Sequence, residues 1–559
     1  MFSVKSNIQQ LTVLMLKAGI TQVVVCPGSR NAAIVHTFHA AGMQCYDVTD
    51  ERSAGFFAIG LMEANGGKPV AVCVTSGSAV LNLAPAVSEA YYRSFPLMVI
   101  SADRPLRWIG QMDGQTLPQQ GAFGSLVSKS VSLPEPQNEE EQWHCNRLLN
   151  EVLIEMRRTH KPVHVNVPIA EPLFDFSAES LPECRSMEWV RGGGNLFQLS
   201  DSQQAVWQRA EKVLVLIGQM LPAEVAACAP LLSQLAKQHC LICAEHLSNV
   251  QTVMDERHCH IGNFDEMLAS HAFESPDLLI TIGGHIVSKL LKQHMRTNPP
   301  QWHWHVSPQG EVADLFMCCT TLVEAQPKAL LSALCAAEQQ RRLAQRKTYR
   351  LAMMANADAA HEKEQWEDEF CDLSALRMVM KDLSALWHLQ VANSSMIRNV
   401  QLLNFSNPLH CNRGVNGIEG SVSVAVGYWA GSGAPTLLLT GDLSFFYDKN
   451  GLWNKYVQNP SAPLRILVMN NRGGQIFHHL QGLDSPYLEK SIAAQHDTTA
   501  QGVAMECRAQ YLCADSAAEL ELALKEFLDE APTVKILEVM TDVQANLKAH
   551  KAFFRAFSN

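Results

Sequence analysis

Two apolar runs end in oxygen-bearing side chains, and they carry the first chemical suggestion. In "APTLLLTGDLSFFYDKN" (434–450) a leucine-rich run stops at Gly441 and Asp442. In "APLRILVMNNRGGQIF" (462–477) a second run stops at Asn470 and Asn471. Asp442 offers a carboxylate, Asn471 an amide oxygen, and Gly473 a backbone carbonyl as a third donor. A few hard oxygens suit an octahedral Mg²⁺ whose other positions come from phosphate oxygens and water. Gly441 permits close approach of backbone, and the helix start after it offers free N–H groups to a phosphate. The competing reading is structural: Asp442 caps the helix after its strand, and Asn470–Asn471 make a turn.

Such donors must be held at the ends of strands, and the surrounding pattern supplies strands. Over residues 1–175, "TQVVVCPG", "QCYDVTD", "KPVAVCVTS", "FPLMVISADRP" and "KPVHVNVPIAEP" read as strands separated by helices such as "ERSAGFFAIGLMEANGG". Strands apolar on both faces and joined by helices imply a parallel sheet covered on both sides. Residues 176–200, with Pro, Ser and three glycines, read as a linker. A second unit carries the strands "KVLVLIGQM", "HCLICAEH", "PDLLITIGGH" and "QWHWHVSP". The charged segment 336–372 reads as a solvated helix bridging units. A third unit follows from about 373, with "LWHLQVANSS", "APTLLLTGD", "APLRILVMNN" and "PTVKILEVM" as strands. The expectation is an α/β protein of three domains, each a mostly parallel sheet flanked by helices, over 1–180, 200–345 and 373–559. Units one and three share a strand–helix rhythm that permits a duplicated pair. In an open parallel sheet the carboxyl edge of the strands is where ligands bind, and both oxygen-bearing runs end there.

The bulk numbers fit. A chain of 559 residues is too long for one core and suits about three domains. It is 47% hydrophobic and 18% charged, with a formal net charge of −11, which describes a globular chain and argues against general nucleic-acid binding. No signal-peptide core and no run long enough for a membrane anchor is visible, so a cytoplasmic location is expected. The 16 cysteines then read mostly as small buried hydrophobes. Cys240 and Cys243, with His239 and His246 nearby, lack a second ligand pair and read as core, as do His258 and His260.

Further motifs make the pattern more specific. Gly-Asp followed at a distance by Asn-Asn, with three units in this order and Glu51 just after the second strand in "DVTDERSAGFFAIGL", resembles the thiamine-diphosphate enzymes. The motifs "CPGSRNA", "DERSAGF", "TSGSA", "SADRP", "DGQTLPQ", "CNRGVNGIEG" and "NNRGGQIF" look like the 2-succinyl-5-enolpyruvyl-6-hydroxy-3-cyclohexene-1-carboxylate synthases of menaquinone biosynthesis. The resemblance runs the length of the chain. It implies a pyrimidine-binding domain, a middle domain and a diphosphate-binding domain, in that order. It implies thiamine diphosphate with Mg²⁺ (or Mn²⁺) held by Asp442, Asn471 and Gly473. Cofactor contacts are implied at Pro27, Glu51, Ser394, Ile418, Gly441, Leu443, Ser444, Gln475 and Ile476. Glu51 is the implied catalytic group: a carboxylate bonded to the pyrimidine ring favours the imino tautomer that serves as base. A glutamate that complements its helix dipole is the bland alternative. Ile418 is implied to prop the cofactor in its bent shape.

The resemblance also implies two dianionic substrates, 2-oxoglutarate and isochorismate. Guanidinium forks match carboxylates, and the matching positions are Ser29, Arg30, Arg104, Gln115, Lys289, Ser394, Arg398 and Arg413. Ile476, Phe477 and Leu480 are implied as an apolar wall that keeps the intermediate dry. An active site shared between two subunits, hence at least a homodimer, is implied too. The chain departs from the pattern where Lys289 is followed by Leu290 instead of arginine, which poses the question of whether Lys292 reaches in. Ser78 replaces a threonine, and the spacing from Asp442 to Asn471 is slightly long. The rival within the class is another thiamine-diphosphate decarboxylase or carboligase, such as an acetolactate synthase. A non-catalytic cofactor-binding protein is a second rival. A nucleotide-binding α/β enzyme lacks support, because no GxGxxG or Walker motif is present.

Overall fold

The apolar runs become the central strands of three wholly parallel sheets in a computed structural model, which describes residues 1–190, 197–254, 259–262, 264–337, 342–364, 366, 369–381, 383–480 and 482–558. The first sheet holds β1 (Gln22–Val25), β2 (Gln44–Asp47), β3 (Val70–Val74), β4 (Leu97–Asp103), β5 (Lys129–Ser132) and β6 (Val163–Pro168), in the order β2-β1-β3-β4-β6-β5. The second holds β7 (Val213–Ile217), β8 (Leu241–Ala244), β9 (Leu278–Ile282), β10 (Trp302–Val306) and β11 (Thr321–Val323), ordered β11-β10-β9-β7-β8. The third holds β12 (His388–Val391), β13 (Leu409–His410), β14 (Thr436–Gly441), β15 (Leu464–Asn470), β16 (Gln510–Ala514) and β17 (Val534–Met540), ordered β13-β12-β14-β15-β17-β16. Strand for strand, the third sheet repeats the order of the first, as the shared rhythm permits. In the third sheet Gly441 pairs with Met469, so Asp442 and Asn470–Asn471 leave neighbouring strands side by side.

First and third units meet backbone to backbone. The helix Glu51–Ala64 crosses the helix Ser421–Ser432 at two glycines. A methyl group on Gly60 would lie 2.2 Å from the Val424 carbonyl oxygen, and one on Gly427 would lie 2.2 Å from that of Phe57. Only glycine allows so close a crossing. Beside it, the buried Glu63 carboxylate pairs with Arg93 at 2.7 Å and accepts from Gln390 Nε2 at 3.0 Å. A buried carboxylate needs this kind of pairing to offset its lost hydration.

The segment read as a solvated bridge is different. Its helix, Leu343–Glu362, buries Arg346, Tyr349, Met353, Ala357 and Ala360, a stripe at helical spacing. Arg346 is 1% exposed and donates to the carbonyl of Ala210 at 3.0 Å. Its charged composition hid an apolar face built from Ala, Met and Tyr. Cys240 and Cys243 are buried in the apolar clusters on opposite faces of the middle sheet, as core residues. His258 lies outside the described residues, as do 191–196 of the linker and 338–341, 365 and 367–368 of the bridge. Among the described residues no helix is long and apolar enough to cross a membrane.

Candidate active site

The carboxyl edge of the third sheet gathers the oxygen donors. Asp442 opens the helix Asp442–Tyr447 and is 3% exposed. Its Oδ1 accepts from the Leu443 N–H at 2.6 Å and its Oδ2 from the Gly473 N–H at 2.9 Å. Asn471, after β15, is buried, and its Nδ2 donates to Asp372 Oδ2 at 3.1 Å and to Gln475 Oε1 at 2.8 Å. Those two partners turn the amide so that its oxygen has none: Asn471 Oδ1 is buried without a hydrogen bond. An orphaned buried acceptor costs about 1–3 kcal/mol. A cation seated beside Asp442 would satisfy it, so the residues present fit the implied Mg²⁺. Ser444 Oγ donates to the Ile418 carbonyl at 2.6 Å, tying the partly exposed Ile418 to the Asp442 helix. Gly441, Leu443, Gln475 and Ile476 stand on the same edge by their place in the chain.

A cationic cluster lies beside these donors. Ser394 leaves β12 with φ of 69° and ψ of −132°, a backbone conformation that a non-glycine residue adopts at a cost. Its carbonyl accepts from Arg398 Nη1 at 2.7 Å, and the neighbouring Asn393 Oδ1 accepts from Arg413 Nη1 at 2.8 Å. Arg413 is 6% exposed, and its Nε is buried without a partner. The loop that carries it is clamped from the first unit, where Glu89 accepts from the N–H groups of Gly414 and Val415 at 2.8 and 2.9 Å. Lys289 and Leu290 line a cavity of about 760 Å³ with Arg398 and residues of the C-terminal helix. Half-buried Lys292 sits in the field of Arg413 and Arg398. Burial first, and then the charges of Arg413, Arg296 and Arg398, holds its ammonium below the usual range, against the pull of Glu245. Its Nζ donates to the Ile286 carbonyl at 2.6 Å.

The carboxyl edge of the first sheet carries the remaining residues. Pro27 lines a cavity of about 520 Å³ after β1. Arg30 is pinned by the Ile169 carbonyl and the Glu171 carboxylate, both at 3.1 Å, while Ser29 is exposed. Glu51 opens its helix after β2, and the cap is Asp50, whose Oδ1 accepts from the Ser53 N–H at 3.1 Å. Glu51 is therefore spared the capping role and stands partly exposed; its charge adds to burial in pushing the Cys26 thiol up. Arg104, after β4, pairs with Asp113 at 2.7 Å and donates to the Gly114 carbonyl at 2.9 Å. That turn carries Gln115, whose φ is 55°.

Two half-sites result, one on each repeated sheet. The third-sheet half joins Asp442, Asn471 and Gly473, and beside them Ser394, Arg398 and Arg413. The first-sheet half joins Arg104 with Gln115. Phe477 and Leu480 lie on and just after the short helix Gln475–His479, with Leu480 41% exposed. Sequence reading missed Asp372 and Asn546. Asn546 Nδ2 donates to Gln475 Oε1 at 2.8 Å, and the Asp372 N–H donates to Asn546 Oδ1 at 2.6 Å. It also missed His496, whose Nε2 lies 3.4 Å from Asp442 Oδ2 but out of line for a hydrogen bond. The neighbouring carboxylate raises that imidazole's pKa.

A repeated pair of parallel sheets, with oxygen donors at the carboxyl edge of one and an acidic helix start at that of the other, defines a class. The family described as "Thiamine pyrophosphate enzyme, N-terminal TPP binding domain" matches residues 6–127, and the chain is a thiamine-diphosphate enzyme. It is similar, at 45% identity over 99% of both chains, to a 2-succinyl-5-enolpyruvyl-6-hydroxy-3-cyclohexene-1-carboxylate synthase of Bacteroides thetaiotaomicron. The synthase of that name from Phocaeicola vulgatus is 42% identical over the whole of both chains, and that of Porphyromonas gingivalis is 33% identical over 100% of this chain and 98% of its own. The chain belongs to this synthase family.

Proposed function

We propose that this enzyme decarboxylates 2-oxoglutarate and adds the succinyl unit to isochorismate, giving 2-succinyl-5-enolpyruvyl-6-hydroxy-3-cyclohexene-1-carboxylate for menaquinone biosynthesis. The observation that carries the reading is the unpartnered Asn471 oxygen beside Asp442, set next to a cluster of Arg398, Arg413 and Lys292. Oxygens for a diphosphate-bound Mg²⁺ and cations for two dicarboxylates then share one edge. Thiamine diphosphate, when bound, supplies a nucleophilic carbon and an electron sink. Asp442, Asn471 and the Gly473 carbonyl hold the metal; Pro27, Ile418, Ser444 and Gln475 seat the rest. Glu51 takes the proton-holding position at the pyrimidine ring. Ser29, Arg30, Arg104, Gln115, Lys289, Ser394, Arg398 and Arg413 bind substrate carboxylates. Ile476, Phe477 and Leu480 exclude water, which strengthens each charge contact. The division at 1–180, 200–345 and 373–559 and a homodimer with shared sites complete the proposal.

The test supplies thiamine diphosphate, Mg²⁺, 2-oxoglutarate and isochorismate and follows the loss of isochorismate absorbance. Consumption that requires both substrates is expected. Turnover of pyruvate with isochorismate untouched would overturn the assignment in favour of an acetolactate-type enzyme.

A further inference from the structure

The middle sheet carries a side-chain cluster that this chemistry leaves unused. His303 and His305 sit two residues apart on β10, so their rings share one face of the sheet. Thr281 Oγ1, on neighbouring β9, lies 3.0 Å from His303 Nε2 and 3.0 Å from His305 Nδ1. A hydroxyl has one proton to give, so one imidazole must donate to it. With His303 Nε2–H as that donor, the lone pair of His303 sits on Nδ1, which faces Cys318 Sγ at 3.7 Å. Asp314 closes the group. Its Oδ1 accepts the N–H groups of Cys318 and Cys319 at 2.9 and 3.0 Å, which fixes the otherwise exposed carboxylate beside the cluster. One ligand atom from each of His303, Asp314 and Cys318 lies within 4.8 Å of the others.

The distances favour one class of ion. Tetrahedral zinc holds sulfur at about 2.3 Å and imidazole nitrogen at about 2.0 Å, which puts the two ligands roughly 3.6 Å apart. Thiolate, imidazole and carboxylate together match zinc and not the harder cations. The Thr281 hydroxyl behind His303 is the outer partner that fixes the tautomer of a metal-bound histidine.

We propose that His303 Nδ1, Cys318 Sγ and a carboxylate oxygen of Asp314 bind a zinc ion, with water in the fourth position. Binding forms a zinc–sulfur bond and expels the thiol proton to solvent. The ion staples the loop 307–320 to β10. That loop reaches the first unit, where Glu311 Oε2 lies 3.0 Å from Lys161 Nζ, so the staple stiffens a contact between units.

The test uses the full chain with thiamine diphosphate and Mg²⁺ present, stripped of transition metals and titrated with Zn²⁺ against a chromophoric chelator. One zinc per chain is expected. Cys318→Ser should weaken binding by more than about 100-fold, and Thr281→Val by about 10–100-fold through loss of the outer partner. Cys319→Ser should leave affinity unchanged, because that thiol donates to the Thr321 carbonyl. Co²⁺ should give a thiolate charge-transfer band that vanishes in Cys318→Ser. No band in the parent protein, parent-like affinity in Cys318→Ser, or a loss in Cys319→Ser as large as in Cys318→Ser would each overturn the site. Should Cys318→Ser fail to fold, the parent's band and the Thr281→Val affinity decide the matter.

Discussion

Asn471, as the proposed metal ligand, shows how much of such a role is set by the neighbours of a side chain. Its side chain could turn either way; Asp372 and Gln475 decide by accepting both its N–H bonds. The oxygen is left bare beside Asp442, where a divalent ion would stand. Asp442→Ala removes the charged member of this set. The expected outcome is loss of Mg²⁺-dependent thiamine diphosphate binding by calorimetry, with the fold retained; unchanged binding would refute the ligand assignment. Glu51→Gln tests the other end of the cofactor. Asp50 already caps the helix, so the substitution should leave stability near that of the parent. Turnover should fall at least 100-fold, as loss of a proton-transfer group does, while calorimetry still finds cofactor bound. Near-parental turnover would return Glu51 to a dipole-complementing role. Asp442, Asn471 and Gly473 were legible because each follows an apolar run. Asp372 was not, because its bond to Asn471 spans 99 residues and its own surroundings read as an ordinary acidic helix start.

At the scale of elements, legibility followed burial. Strands such as β3, β4, β9 and β15 are buried along their whole length, and their sequences are continuous apolar runs. The strands that escaped sequence reading are β5, β11, β13 and β16, and each is an edge strand. An edge strand pairs on one side only and tolerates polar residues, so its pattern fades. The turn before the helix Lys289–Thr297 was equally hidden. Buried Glu245 accepts the N–H groups of Val287 and Ser288 at 2.6 and 2.7 Å, which presents Lys289 to the cavity. Burial pushes that carboxyl up to about 7, with Asp265 adding to the shift and Lys292 opposing it. A raised carboxyl pKa means that the native state holds the proton more tightly than the unfolded chain. Its stabilisation is full below about pH 4 and is lost as pH rises through about 7, on the order of 3 kcal/mol. Glu245→Gln should therefore flatten the fall in melting temperature between about pH 5 and 8. Equal pH slopes in the two proteins would show that Glu245 does not titrate in that window.

At the scale of the whole molecule, the repeated sheet order places matching loops in matching roles. After the first strand of each repeat come Ser29–Arg30 and Ser394. Glu51 and Arg413 follow the second strands, and Arg104 and Asn471 the fourth. On the proposed function each repeat offers half of an active site at its carboxyl edge. Within one chain the residues flanking Glu51 are already engaged: Asp50 takes Asn450 at 2.8 Å, and Arg52 donates to the Tyr447 carbonyl at 2.8 Å. A second copy related by a two-fold axis would bring the Glu51 half of one chain to the Asp442 half of the other, twice. Mixing two dead variants tests this. In a dimer of Glu51→Gln with Asp442→Ala, one site carries both lesions and the other carries neither. Random co-assembly makes half the dimers mixed, each with one intact site, so co-expression should restore roughly a quarter of parental activity. Sites built within single chains would restore none. Recovery that tracks the mixed dimer isolated by two affinity tags, and is missing from both parents, would establish that the substrate cleft lies between subunits.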